Sequence, residues 1–437
     1  MNYRKNSVKG GTRPTTTLKI IRSPACMVLV GLVARVLYIV LAHSYRLSFS
    51  YWSKFEMANL AYSLATGHGF SSPFGGDTGP SAWTAPLYPW VISLAFRALG
   101  IYSHTAAFAM LVFNSVFSAL TSWSIYRIAR RVFNQTVAVW SGWVWALSPY
   151  TIYWVSWIWE TSLSAFLLSL LFMLTLEMED DDHLWSWCGY GLLWGIAGLT
   201  NTSMLSWLPF SGCWLAYQLH RRGKHTVVPV LLGAVVFWLT LMPWLVRNYS
   251  VFGKPLFVRG DLGVELRIGN NPRAEGRWVP TYHPFYNSFV YQQYKQMGEP
   301  AFDTEQAHLA KEWIARHPKR FVLLSLRKFL FFWAGIPRTG LEQVKNLLFL
   351  ASSLLAIGGL LLAGKWRVHG VFLFATLLGF YPLIYYFTTP MSRYRHPIDP
   401  ELAILAVFVI SSFPGFHRRH QSGAMSGHDA TAPEPDK

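Results

Sequence analysis

The sequence predicts an all-α integral membrane protein, a polytopic helix bundle of about ten spans with interfacial helices and a long extracytoplasmic loop. Three observations carry this. First, only 14% of the 437 residues are charged while 52% are hydrophobic, whereas a soluble domain carries roughly 25% charged residues. Second, aromatics reach 16%, with 21 Trp and 21 Tyr; this suits the aromatic belts of a membrane protein and excludes a disordered chain. Third, apolar stretches near the bilayer-spanning length recur along the chain, and Lys and Arg gather in the short segments between them. The formal charge of +17 therefore reads as membrane topology. No nucleic-acid partner is expected, because so hydrophobic a chain leaves too little polar surface for a basic groove. Cys26, Cys188 and Cys213 lie in apolar stretches, form neither a disulfide framework nor a zinc spacing, and read as small buried hydrophobes.

The spans run near Ala25–Tyr45, Ala106–Ile128, Val137–Tyr153, Ser162–Met178, Trp185–Leu199, Ser203–Leu219 and Val227–Val246, then Leu341–Ala363, Val371–Phe387 and Leu402–Phe413. A basic arm, residues 1–24, holds Arg4, Lys5, Lys9, Arg13, Lys19 and Arg22 without an acid, which places it in the cytoplasm. A cleaved signal peptide has a similar start. Arg35 interrupts the first apolar run and many spans follow, so the run is read as a retained span. Counting forward then puts Arg127–Arg131, Arg221–Lys224, Lys365–Arg367 and His417–His420 inside. Pro86–Leu99 is too short to span and Phe321–Trp333 carries Arg327 and Lys328, so both read as interfacial helices. The membrane domain is residues 25–415, with outer loops 46–105, 247–340 and 388–399; residues 416–437 form a cytoplasmic disordered tail. The positive-inside pattern thus leaves these loops on the extracytoplasmic side of the membrane.

Candidate chemistry crowds the outer loops. Residues 51–66 lack Gly and Pro and suit one short helix. Glu56, Asn59 and Ser63 make a polar stripe on it, with Phe55, Ala58, Tyr62 and Ala65 as an apolar stripe beside it. Gly67 and Gly69 then stop the helix. Glu56 is the first candidate acid, set beside the lipid headgroups; a solvated Glu on an amphipathic helix is the plain alternative. Tyr88 lies in the Pro-rich turn that follows and shapes a pocket. Glu160, the only acid of the outer turn after span three, is a second candidate, with simple helix capping as its alternative. Asp77, between glycines, reads as a turn former.

Arg393 and Arg395 flank Tyr394 before the last span, where the positive-inside rule disfavours cations. Guanidinium groups bind phosphate bidentately, and Arg247 is a third outer cation. Nonspecific contact with lipid headgroups is the alternative for the pair. Asn270 opens an Asn-Asn-Pro turn. Arg35, mid-span, is costly unless partnered in the bundle, by structure or by ligand.

Three blocks together resemble the bacterial polytopic glycosyltransferases of the GT-C fold, family-39 type, whose relatives include the protein O-mannosyltransferases and the lipid A aminoarabinose transferase. The first is Glu56 followed by Ala-x-x-Leu-x-x-Gly-x-Gly-Phe ending at Phe70, with Pro-Leu-Tyr-Pro at 86–89. The second is Pro-Trp-x-x-Arg-Asn-Tyr at 243–249, and the third Arg-Tyr-Arg-x-Pro at 393–397. The family usually places Asp at the first-loop acid, often as an Asp-Glu pair; here Phe55 precedes Glu56. The resemblance implies transfer of a sugar from a polyprenyl-phosphate donor to a glycan, lipid or protein acceptor at the outer face. A carboxylate would accept the acceptor hydroxyl's proton and fixed cations would stabilise the departing phosphate. One base and a good leaving group imply inversion. No cofactor is required and no dense acidic cluster calls for a metal, though a divalent ion is compatible with the reaction. The competing classes are a transporter of a lipid-linked saccharide, which would place its polar groups at mid-membrane, and a noncatalytic partner in surface-polysaccharide assembly.

Overall fold

Helices dominate the computed structural model, which describes residues 20–181, 183–337 and 341–413. Most of the basic arm and the C-terminal tail, including His417–His420, lie outside the described residues. Among the described residues, five helices are long and apolar enough to cross a membrane: Pro24–Leu41, His104–Val132, Thr161–Asp180, Val227–Phe252 and Gln343–Lys365. The other expected spans are shorter or broken helices, and proline sets the breaks. Val137–Tyr153 becomes Gln135–Leu147 and Pro149–Trp154, because Pro149 has no N–H to continue the ladder. Val371–Phe387 divides at Pro382 into Val371–Phe380 and Leu383–Phe387, and the helix after Thr202–Ser206 starts at Leu208 with Pro209 in its first turn. The last helix runs Asp399–Ser411.

The bundle is built from neighbouring pairs. His104–Val132 packs on Pro24–Leu41, Gln135–Leu147 and Thr161–Glu177, while Leu184–Thr200 packs on Val227–Phe252 and Leu341–Lys365 on Asp399–Ser411. Lipid is as apolar as a leucine side chain, so close packing and polar bonds hold such pairs. The Leu184–Thr200 crossing is close enough that a Cβ at Gly191 would overlap the carbonyl oxygen of Gly233. One core cluster gathers Trp145, Trp194, Trp207, Phe172 and Tyr381 inside the spans. None of the three cysteines is fully buried as expected: Cys26 and Cys188 are partly buried and Cys213 is exposed.

Arg35 is fully buried and its donors are all engaged. Nε donates to Ser118 Oγ at 2.9 Å, Nη1 to the carbonyls of Gly31 at 2.9 Å and Ala146 at 2.8 Å, and Nη2 to the Trp145 carbonyl at 3.1 Å and Thr151 Oγ1 at 3.0 Å. The reason lies four residues beyond Trp145. Its carbonyl would bond to the N–H of residue 149, and that residue is proline. Arg35 supplies donors to the exposed end of the Gln135–Leu147 helix, so its role is structural. Replacing Arg35 by Leu leaves the Ala146 carbonyl buried without a partner, and should lower stability by about 2 kcal/mol or more. Unfolding in detergent reads this directly; an unchanged midpoint would refute the assignment.

The two ends of the bundle differ. At one end, Arg127 pairs with Glu177 at 2.7 Å, Arg131 with Asp180 at 2.7 Å, and Arg222 with Asp180. His369 joins Glu179 at 2.7 Å. The loops expected on the cytoplasmic side thus meet in one place. Glu160 and Glu177 flank the same helix, about 25 Å apart by helical rise, so the Glu160 end is the other face. There the segment 253–334 contributes the helices Leu262–Gly269, Ser288–Met297, Glu299–Arg316 and Pro318–Ala334 as a cap.

Candidate active site

Where the sequence predicts one helix over residues 51–66, the first outer loop forms two, Phe49–Trp52 and Glu56–Ala65. The polar stripe is also not turned to solvent. Asn59 and Ser63 are buried and Tyr62 is exposed, because the Asn59 amide donates to the carbonyls of Ser53 at 3.1 Å and Pro73 at 3.0 Å. Asn59 therefore shapes the loop by holding its backbone. Gly67 and Gly69, both at positive φ, end the helix as expected.

Glu56 occupies the first position of its helix, with its side chain 16% exposed. Its Oε1 lies 3.2 Å from Nε2 of His283, a residue of the distant 247–340 loop. The backbone N–H of Phe285 donates to His283 Nδ1 at 3.3 Å. That fixes the tautomer: Nε2 carries the proton and donates it to Glu56. Phe74, Trp83, Trp278, Phe285 and Tyr286 box the imidazole with ring centroids 5.5–5.8 Å away. Burial alone would push the Glu56 carboxyl up; the contact with His283 and the charge of Arg393 outweigh it, and the net shift is downward. Glu56 is thus held ionised.

Glu160 is buried at the start of the Thr161–Glu177 helix, but its side chain makes no cap hydrogen bond and Oε2 has no partner. Burial raises its carboxyl, opposed by Arg393 and Arg259 and assisted by the nearby Glu56 charge. Two neighbouring carboxylates pushed in opposite directions are what acid–base assignments are made from.

Arg393 faces both. Its guanidinium carbon lies 3.9 Å from the centre of the Trp159 ring, and Nη2 donates to the Tyr394 hydroxyl at 3.2 Å, leaving Nε buried and unpartnered. Desolvation lowers its basicity, but Tyr394, Glu160 and Glu56 more than offset this and the net shift is upward. Tyr394 stacks on Tyr385 at 4.6 Å. Arg259 approaches from the cap, paired with Asp261 and donating to the Trp83 carbonyl at 3.4 Å. Glu265 accepts from Thr389 Oγ1 at 3.2 Å, which ties the cap to the last outer turn.

The other arginines depart from expectation. Arg395 is buried and turned into the bundle, with Nε on Asp399 at 2.8 Å, Nη1 on Ser353 at 2.7 Å and Nη2 on Ser352 at 2.8 Å. Positions two apart on a helix point roughly 200° apart, so the short helix Ser392–Arg395 presents only one of the two to the carboxylates. Arg247 donates to the carbonyls of Ser81 and Phe70, both at 2.7 Å, and sits over Trp244 at 4.8 Å; it clamps the first loop. Glu299 clamps the same loop, accepting from Ser81 Oγ and the Ala82 N–H, both at 2.6 Å, and from Tyr294 at 2.8 Å, with burial pushing its carboxyl up to about 7. Asn270 bonds to the carbonyls of Leu266 at 2.9 Å and Phe387 at 2.7 Å and receives Lys328 at 3.1 Å. Tyr88 is buried, its hydroxyl on Asn114 at 3.0 Å. Both support the site from behind.

Residues 83–246 match the family model of the dolichyl-phosphate-mannose-protein mannosyltransferases. No curated protein matches the chain. Among solved structures, the apo oligosaccharyltransferase of Archaeoglobus fulgidus aligns with a TM-score of 0.52 at 12% identity, over 96% of this chain and 53% of that one. The oligosaccharyltransferase AglB of Archaeoglobus fulgidus, in complex with an inhibitory peptide and a dolichol-phosphate, aligns at 0.47 and 12% identity over 95% and 52%. ArnT from Cupriavidus metallidurans, bound to undecaprenyl phosphate, aligns at 0.46 and 14% identity over 94% and 63%. The chain thus spans between 52% and 63% of the length of these proteins. By its helices and its likeness to the apo oligosaccharyltransferase, the chain is a multi-pass, predominantly helical membrane protein of the GT-C fold, and its residues 83–246 are similar to the family model of the dolichyl-phosphate-mannose-protein mannosyltransferases.

Proposed function

We propose that the chain transfers a sugar from a polyprenyl-phosphate donor to a hydroxyl of a lipid, glycan or protein acceptor, with inversion, on the extracytoplasmic side of a bacterial inner membrane. The observation that carries this reading is the convergence of Glu56, Glu160 and Arg393, from three distant segments, at one end of the bundle. Glu56, ionised and oriented by His283, takes the proton of the attacking hydroxyl. Arg393, stiffened by Trp159 and joined by Arg259, stabilises the charge that grows on the departing lipid phosphate. Glu160, whose burial favours its neutral form, donates to a sugar hydroxyl and fixes the ring. The outer loops 46–105, 247–340 and 388–399 enclose the donor and acceptor. The displacement needs no cofactor. Among the described residues no group of three or more His, Cys, Asp or Glu is placed to hold a metal ion, and a divalent ion would act on the donor phosphate as a further cation.

The test is turnover of a labelled polyprenyl-phosphate sugar by purified protein in lipid discs, offered glycan, lipid and peptide acceptors in turn. Release of free polyprenyl phosphate together with a labelled acceptor of inverted configuration is expected. Absence of release with all three acceptor classes would refute the reading.

A further inference from the structure

The end of the bundle opposite the carboxylates carries a second set of arginines that the proposed transfer does not use. Arg127, Arg130 and Arg131 close the helix His104–Val132, and with Glu177 they line an open cavity of about 500 Å³. The helix is 29 residues long, so its length of about 43 Å exceeds the hydrocarbon thickness of about 30 Å. Its last turns therefore emerge at headgroup depth. Trp123, one turn earlier, lies 6.0 Å under the Arg127 guanidinium, as an interfacial aromatic does.

The charges around this cavity do not cancel. Arg127 is paired with Glu177 and Arg131 with Asp180, both partners partly exposed. Glu179 is taken by His369 and by Trp214 Nε1 at 2.9 Å, and Arg222 also reaches Asp180. Arg130 is exposed and makes no ion pair among the described residues. Solvent-exposed ion pairs are worth about 0–1 kcal/mol, so Arg127 is readily shared with an incoming anion, whereas Arg130 needs no partner displaced. Two adjacent guanidiniums over a cavity of headgroup size match the planar, two-point recognition of phosphate.

We propose that Arg130 and Arg127 form a binding site for a phosphate group, supplied by an anionic phospholipid of the leaflet that meets this end of the bundle. The site is separate from the donor site, and its arginines can be changed without touching Glu56, Glu160 or Arg393.

Native mass spectrometry of the detergent-solubilised full chain, titrated with phosphatidylglycerol or phosphatidylcholine, tests this. Preferential retention of phosphatidylglycerol is expected. It should fall about fivefold in Arg130→Gln and roughly twenty-five-fold in Arg127→Gln/Arg130→Gln, at about 1 kcal/mol per basic residue. Arg130→Lys should recover part of it. Displacement of the lipid by millimolar inorganic phosphate would support the phosphate as the recognised group. Equal retention of both lipids, or retention unchanged in the double variant, would overturn the proposal. Phosphate binding without lipid retention would overturn the lipid source. The thermal midpoint of each variant controls for folding.

Discussion

Glu56→Gln should slow single-turnover transfer by roughly 10²–10⁴-fold while the donor still binds. The amide keeps the shape of the side chain and its contact with His283, but it has no lone pair basic enough to accept the acceptor's proton. Glu56→Asp should retain part of the activity, with a base set back by one methylene. The pH profile carries a second, signed expectation. In the parent, His283 and Arg393 hold the Glu56 carboxyl below its ordinary value. The rate should therefore persist on the acid side until pH falls below the usual Glu range of about 4.3. In His283→Leu the stabilising contact is gone and burial dominates, so the acid limb should move to higher pH. A merely structural histidine would change the amount of folded protein and leave that limb where it was. A Glu56→Gln rate within about threefold of the parent, well short of general-base catalysis, would move the base to Glu160.

Arg393→Ala should weaken donor binding and lower transfer by about 10²–10³-fold, the scale of losing one fixed donor to a developing oxyanion. Lys at this position should rescue only partly, because an ammonium lacks the planar face that a guanidinium can set against Trp159 and cannot offer two parallel donors. Arg395→Ala provides the contrast. That guanidinium is occupied by Asp399, Ser352 and Ser353, so its loss should lower the thermal midpoint while donor affinity per folded molecule stays close to the parent. Isothermal titration of the donor against each variant separates the two. Equal loss of affinity in both would restore the arginine pair as a joint phosphate clamp.

Much of this arrangement is legible in the sequence, and the rest is hidden for identifiable reasons. Five of the expected spans, among the described residues, follow from apolar length, while proline shortens or breaks others, and the basic loops expected on one side meet at one end of the bundle. The position of Glu56 before its paired glycines, and of Arg393 before the last span, already marks both as unusual. His283 could not be found this way: its partner is Glu56, far away in the chain, and a His-Pro pair among aromatics in a long loop looks like an ordinary turn. Arg259 and Trp159 are invisible for the same reason, since nothing local distinguishes them. The stripe on the Glu56 helix misleads because Asn59 binds loop carbonyls, so a polar face is the covered one. The arginine pair misleads because two residues apart on a helix is the wrong spacing for a shared target.

The bond between Arg35 and the end of the Gln135–Leu147 helix has a consequence for how the chain is made. The first span emerges with a buried cation that costs at least about 2.5 kcal/mol in hydrocarbon. Four of its five bonds are to Ser118, Trp145, Ala146 and Thr151, residues translated roughly a hundred positions later. Until they arrive, the first span has only its own Gly31 carbonyl to offer. Its apolar residues can carry it into the bilayer alone, but its guanidinium is fully satisfied only once the second and third spans stand beside it, so the first three helices lock together only after Thr151 has been translated.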